Sequence, residues 1–111
     1  MVHSSRHLTE WRRRIIVEAI NQRNRNKWPL IDCAAGLAVD FRFPKPARTA
    51  HDELFRIQRP DVDKLARAVL DAFTEAAIWV DDSLCVELTA RKLHATDDAP
   101  TGAHIAIWLP V

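Results

Sequence analysis

Residues 62–77 constrain the fold more than any other part of the chain. Leu65, Ala68, Val69, Ala72, Phe73 and Ala76 recur on one helical face, with Lys64, Arg67, Asp71 and Glu75 largely on another. A helix divided in this way must lay its apolar stripe on a second layer. Stretches of period two supply that layer. Leu37, Val39, Phe41 and Phe43 alternate with Ala38, Asp40 and Arg42 in a first strand, which Pro44 and Pro46 stop. After the turn signal Asp81-Asp82-Ser83, Leu84, Val86 and Leu88 alternate with Cys85, Glu87 and Thr89 in a second strand. Ile105, Ile107 and Leu109 mark a third. Ahead of these, Trp11, Ile15, Ile16, Ala19 and Ile20 define an amphipathic helix over residues 9–23, ended by a polar turn at 24–29 where Pro29 biases Trp28 away from helical dihedrals. The order helix-strand-helix-strand-strand predicts a small α+β domain, residues 1–111 as one unit, with a mixed sheet backed by two helices.

Residues 44–60 have no sustained period and include a lone His51; loops of that length in a compact domain are often functional. The formal net charge is only +1, but it is unevenly divided. Residues 1–50 hold ten Lys and Arg against four Asp and Glu, while residues 51–111 hold six against eleven. A basic half joined to a carboxylate-rich half suits a protein that attracts a polyanion and holds divalent cations; two differently decorated solvent faces would give the same count.

Several classes drop out. No apolar run approaches a membrane span and the first residues lack a signal-peptide core, so a cytoplasmic protein with no membrane partner is expected. Cys33 and Cys85 stand outside any zinc-ligand spacing and are expected as reduced thiols. Two glycines exclude a glycine-rich phosphate loop. Trp79 and Trp108 read as core or interface anchors, and His94 and His104 fall on strands.

The carboxylates carry the chemistry. Asp61 and Asp63 open the helix at 62–77, and Asp82 opens the strand after it. Hard oxygens of this kind are what Mg²⁺ prefers, one or two of them with waters and substrate phosphate oxygens completing the shell. The three converge if the turn returns the strand start to the helix start. Taken singly, an Asp at a helix N-terminus caps or complements the dipole, and Asp-Asp before a strand is an ordinary turn.

The run RPDVDKLARAVLDAFTEAAIWVDDSLCVELTARK, residues 59–92, resembles the signature region of the RusA-type Holliday junction resolvases, endonucleases of phage and prophage origin. In that family a DxD run opens a helix, a W-x-D-D element follows, and a strand bears a distal lysine. The resemblance implies that Asp61, Asp63 and Asp82 are the essential carboxylates and ligands of Mg²⁺, with Mn²⁺ able to substitute, and that Asp81 is an auxiliary ligand. Arg67 takes the place of a catalytic helix lysine, and Lys92 matches the lysine on the strand; Arg67 or Lys92 is expected as the catalytic charge that balances negative charge on the reacting phosphate. It further implies a homodimer that resolves four-way DNA junctions by paired nicks in recombination and repair, with Arg59, Lys64, Arg91, Arg12 and Arg13 on DNA. Three features depart from the family: Lys64 stands in place of Asn, Leu84 in place of Gln, and a strand and basic loop usual before the first helix are expected to be missing. A catalytically weak junction-binding protein of the same fold is the competing expectation.

Overall fold

A computed structural model describes residues 2–47 and 53–110, with side chains from Leu8 onward, so His51 lies outside the described residues. Helix α1 spans Val2–Asn26. Ile15 and Ala19 form its buried stripe, with Leu8, Trp11, Ile16 and Ile20 packed beside them. The helix runs past the expected end at Arg23 because a left-handed residue, Lys27 at φ 55°, closes it. The Trp28 N–H then donates to the Arg23 carbonyl at 3.0 Å, the long-range bond of a Schellman closure. That geometry lets three further residues, Asn24, Arg25 and Asn26, remain helical before Pro29 intervenes.

Strand β1, Ala35–Phe43, buries Leu37, Val39 and Phe41 almost completely, as its alternation predicts. It is the central strand of three. Strand β2, Cys85–His94, lies parallel to it, and strand β3, Gly102–Trp108, lies antiparallel on its other side. Parallel neighbours require a long crossover. Helix α2, Val62–Glu75, supplies it and buries the Leu65, Ala68, Val69, Ala72 and Phe73 face. The expected α+β order and the mixed sheet are both present. No described helix is long and apolar enough to cross a membrane.

The second strand differs from its sequence reading. Leu84 belongs to a 3₁₀ turn at Asp82–Leu84, and a register shift beside Ala35 and Gly36 leaves Val86 unpaired opposite them. Val86 and Leu88 are 60% and 47% exposed, whereas Leu93 and His94 at the other end are buried. The reason is position: β2 is an edge strand, and its far end is covered by residues 54–56. There Phe55 bridges Leu93, the Arg56 N–H donates to the Lys92 carbonyl at 3.1 Å, and the His94 N–H donates to the Leu54 carbonyl at 3.1 Å. The aperiodic stretch before α2 is thus partly paired to the sheet.

Trp79 is a core anchor as expected, packed edge-on to Phe73 with its indole N–H donating to Thr74 Oγ1 at 2.8 Å. Trp108 instead lies on the helix-free face of the sheet, over Gly36, where a Cβ would come within 2.3 Å of the ring.

Helix α2 also closes through a left-handed residue, Ala77 at φ 56°, with the Ile78 N–H donating to the Phe73 carbonyl at 3.0 Å. Glycine holds that conformation without a Cβ penalty. Ala77→Gly is therefore expected to stabilise the domain by about 0.5–1 kcal/mol. A thermal melt reads this as a midpoint rise of a few degrees; a fall would mean that the Ala77 methyl contributes packing that outweighs the backbone strain.

Candidate active site

Asp61 is the N-cap residue of α2, with extended dihedrals and its carbonyl accepting the Leu65 N–H at 3.1 Å. An aspartate here ordinarily turns its side chain onto the free amides of the first turn. This one makes no such bond. Its carboxylate has instead the Lys64 ammonium 4.0 Å away, an exposed pair. Asp63, in the first turn, is exposed, favoured by the helix dipole and in no ion pair among the described residues.

The two aspartates of the next turn divide their tasks. Asp81 caps the 3₁₀ turn, its Oδ2 accepting the Ser83 N–H at 3.0 Å. Hydrogen bonding from Ser83 holds its carboxyl below the usual carboxylate range. The capping role weighed for Asp61 thus falls to Asp81, the residue expected as an auxiliary ligand. Asp82 is half-buried and accepts from Arg67 Nη1 at 2.5 Å, the same guanidinium nitrogen lying 3.4 Å from Asp71 Oδ1. Bonding to Asp82 first, and then to Asp71, raises the Arg67 pKa above its ordinary value.

The turn therefore does return Asp82 to α2, as convergence requires, but to Arg67, one helical turn beyond Asp63. Among the described residues no three Asp, Glu, His or Cys side chains gather as a metal cage. The expected three-carboxylate cluster is not preassembled, because Arg67 holds Asp82 and Lys64 stands by Asp61. The donor chemistry still fits Mg²⁺. Exposed carboxylate oxygens at Asp61 and Asp63, with Asp82 held on Arg67 of the same helix, suit an ion that keeps several waters and takes only one or two protein oxygens.

The basic residues are more dispersed than expected. Lys92 lies on the helix-facing side of β2, level with Phe41, and its Nζ donates to the carbonyls of Gln58 at 2.8 Å and Pro60 at 2.9 Å. Arg91, its neighbour, projects from the opposite face. There it pairs bidentately with Asp40 at 2.9 and 2.8 Å, and this bonding holds the Asp40 carboxyl below the usual range. Arg91 is thus separated from the carboxylates by the sheet. Arg12 is ion-paired to Glu75 at the far end of α2, and Arg13 is exposed on α1. Arg59 and Lys64, both exposed, are the expected DNA contacts that flank Asp61 and Asp63.

Two residues were not singled out by sequence. Asp71, the second acceptor of Arg67, was detectable from its i+4 spacing. Arg56 had no such signal. It stacks over the Phe43 ring, 4.3 Å from the centroid, and donates to the Arg59 carbonyl through Nε at 3.2 Å and Nη2 at 2.6 Å.

No curated protein matches the chain at a significant level. A family model does: the one described as endodeoxyribonuclease RusA matches residues 1–107, a span that includes both helices and Asp61, Asp63, Arg67, Asp82 and Lys92. By that match over nearly its whole length, the chain belongs to the RusA endodeoxyribonuclease family.

Proposed function

We propose that this protein is a cytoplasmic, Mg²⁺-dependent endodeoxyribonuclease that resolves four-way DNA junctions by paired nicks in recombination and repair. The observation that carries the reading is the placement of Asp82 against α2, on Arg67 one helical turn beyond Asp63, in a helix whose N-cap aspartate does not cap with its side chain. Asp61, Asp63 and Asp82 are the residues that would hold the metal, and Mn²⁺ would serve in its place. When bound, the ion supplies an ionised water near neutral pH and charge stabilisation at the departing 3′ oxygen.

The chain's own groups do the rest. Arg67 remains protonated throughout any usual pH range and so acts as a fixed positive charge beside the scissile phosphate, never as a proton donor. Arg59 and Lys64 attract backbone phosphates to the mouth of the site. A four-way junction has approximate two-fold symmetry, and two symmetric cuts need two sites, so the working form is a homodimer.

A second reading, a junction-binding protein with little cleavage, is favoured by the internal pairing of two carboxylates, Asp61 with Lys64 and Asp82 with Arg67. Incubating the protein with a synthetic four-way junction, with and without Mg²⁺ or Mn²⁺, separates the two. Paired metal-dependent nicks are the expected result. Tight binding with no nick in either metal would favour the second reading, and equal affinity for junction and plain duplex would remove both.

A further inference from the structure

Three consecutive carbonyls lead into Asp61, and each is held by a cationic side chain. Lys92 Nζ donates to Gln58 O at 2.8 Å and to Pro60 O at 2.9 Å, while Arg56 donates twice to Arg59 O, at 3.2 and 2.6 Å. Both cations are themselves anchored. Arg56 lies on the Phe43 ring and its backbone N–H donates to Lys92 O at 3.1 Å; Lys92 stands half-buried in the parallel ladder opposite Phe41. The strand that carries one cation is thus hydrogen-bonded to the segment that carries the other.

From this arrangement we infer that Arg56 and Lys92 are positioning residues, a two-cation clamp that fixes residues 58–60 and so sets where the carboxylates of Asp61 and Asp63 stand. The inference deepens the nuclease reading and rests on it for its catalytic consequence. Charge-assisted bonds to backbone carbonyls are stronger than neutral ones, and two of the three protons on Nζ are committed to them. Lys92 is therefore not the charge that meets the phosphate; that role is left to Arg67. The effect of Lys92 passes through the chain to Asp61 and Asp63, one and three positions beyond Pro60.

The chemical logic is economical. Asp61 gains no rigidity from capping α2 with its side chain, so its backbone must be held from the N-terminal side. Catalytic groups displaced by even about 1 Å lose a large part of their effect, about a hundredfold in some cases.

The test compares wild type with Lys92→Met, Arg56→Met, the double variant and Lys92→Arg in three measurements. In the free protein, amide exchange at Leu65, whose N–H bonds to Asp61 O, is expected to accelerate about tenfold or more in both Met variants. Exchange at Val69 and Phe73 should stay unchanged, and Lys92→Arg should restore protection. In metal-free buffer, the slope of log junction affinity against log salt is expected to be the same for Lys92→Met as for wild type. In cleavage, kcat is expected to fall about tenfold or more with KM within twofold.

A salt slope shallower by about 0.9 in Lys92→Met would mark a direct phosphate contact and overturn the assignment. Leu65 exchange at the wild-type rate in the double variant would overturn it as well. The exchange measurement needs neither DNA nor metal, so failure of the clamp and failure of the nuclease reading are seen separately.

Discussion

Asp82→Asn is expected to lower single-turnover cleavage of a four-way junction by about 10³-fold, or about 4 kcal/mol of transition-state stabilisation, while junction affinity is held or improved. The substitution keeps the shape and one carbonyl oxygen and removes the negative charge. That charge has two neighbours to lose: the guanidinium of Arg67 at 2.5 Å and, in the proposed working state, the divalent ion. Loss of the first is inexpensive, because Arg67 is exposed and Asp82 is only half-buried, and ion pairs of this kind are worth about 0–1 kcal/mol. The melting midpoint should therefore move by no more than a few degrees. Loss of the second removes ligand charge where hydrolysis needs it. Binding should not suffer, since one negative charge fewer beside a polyanion lowers repulsion. Cleavage at the wild-type rate in Asp82→Asn would remove Asp82 from the site, and with it the observation on which the proposed function rests.

The parts of this site that sequence reveals are those set by local periodicity. The apolar stripe of α2 places Asp61 and Asp63 at its start by local pattern alone, and the structure begins the helix at Val62. Alternation also separates two of the expected site residues. Arg91 and Lys92 are adjacent on a strand, so period two forces them onto opposite faces. Only one can reach the carboxylates, and in the structure it is Lys92 that faces α2 while Arg91 pairs with Asp40. The run Leu84, Val86, Leu88 misled for a different reason. Its alternation is real, but a register shift sets Val86 out of the pairing, and an edge position leaves Leu88 half-covered. Neither a bulge nor an edge is written in the composition of a strand. Arg56 was hidden more completely. Its partners, the Phe43 ring and the Arg59 carbonyl, meet it only because residues 54–56 pair with the end of β2, a long-range event with no local signature.

Arg67→Ala is expected to lower two quantities, the cleavage rate and the Mg²⁺ concentration that cleavage requires. Cleavage at saturating Mg²⁺ should fall by about 10²–10³-fold, the usual cost of deleting one preorganised positive group at a site of developing negative charge. The Mg²⁺ concentration for half-maximal activity should fall too, because Arg67 is the cation that Asp82 now holds, and a carboxylate released from a guanidinium is more available to a divalent ion. The same release frees Asp71, which lies 3.4 Å from the guanidinium. A purely structural role for Arg67 predicts neither result: removing an exposed ion pair would shift stability by about 0–1 kcal/mol and leave the metal requirement alone. Arg67→Lys separates charge from geometry. Lysine keeps the positive charge and loses the planar fork, and the corresponding position in the resembling family carries lysine. Activity within about tenfold of wild type is therefore expected for Arg67→Lys. If Arg67→Ala instead raised the half-saturating Mg²⁺ concentration, the guanidinium would be organising Asp82 for the metal rather than competing with it, and the assignment of Arg67 as an independent charge beside the phosphate would be lost.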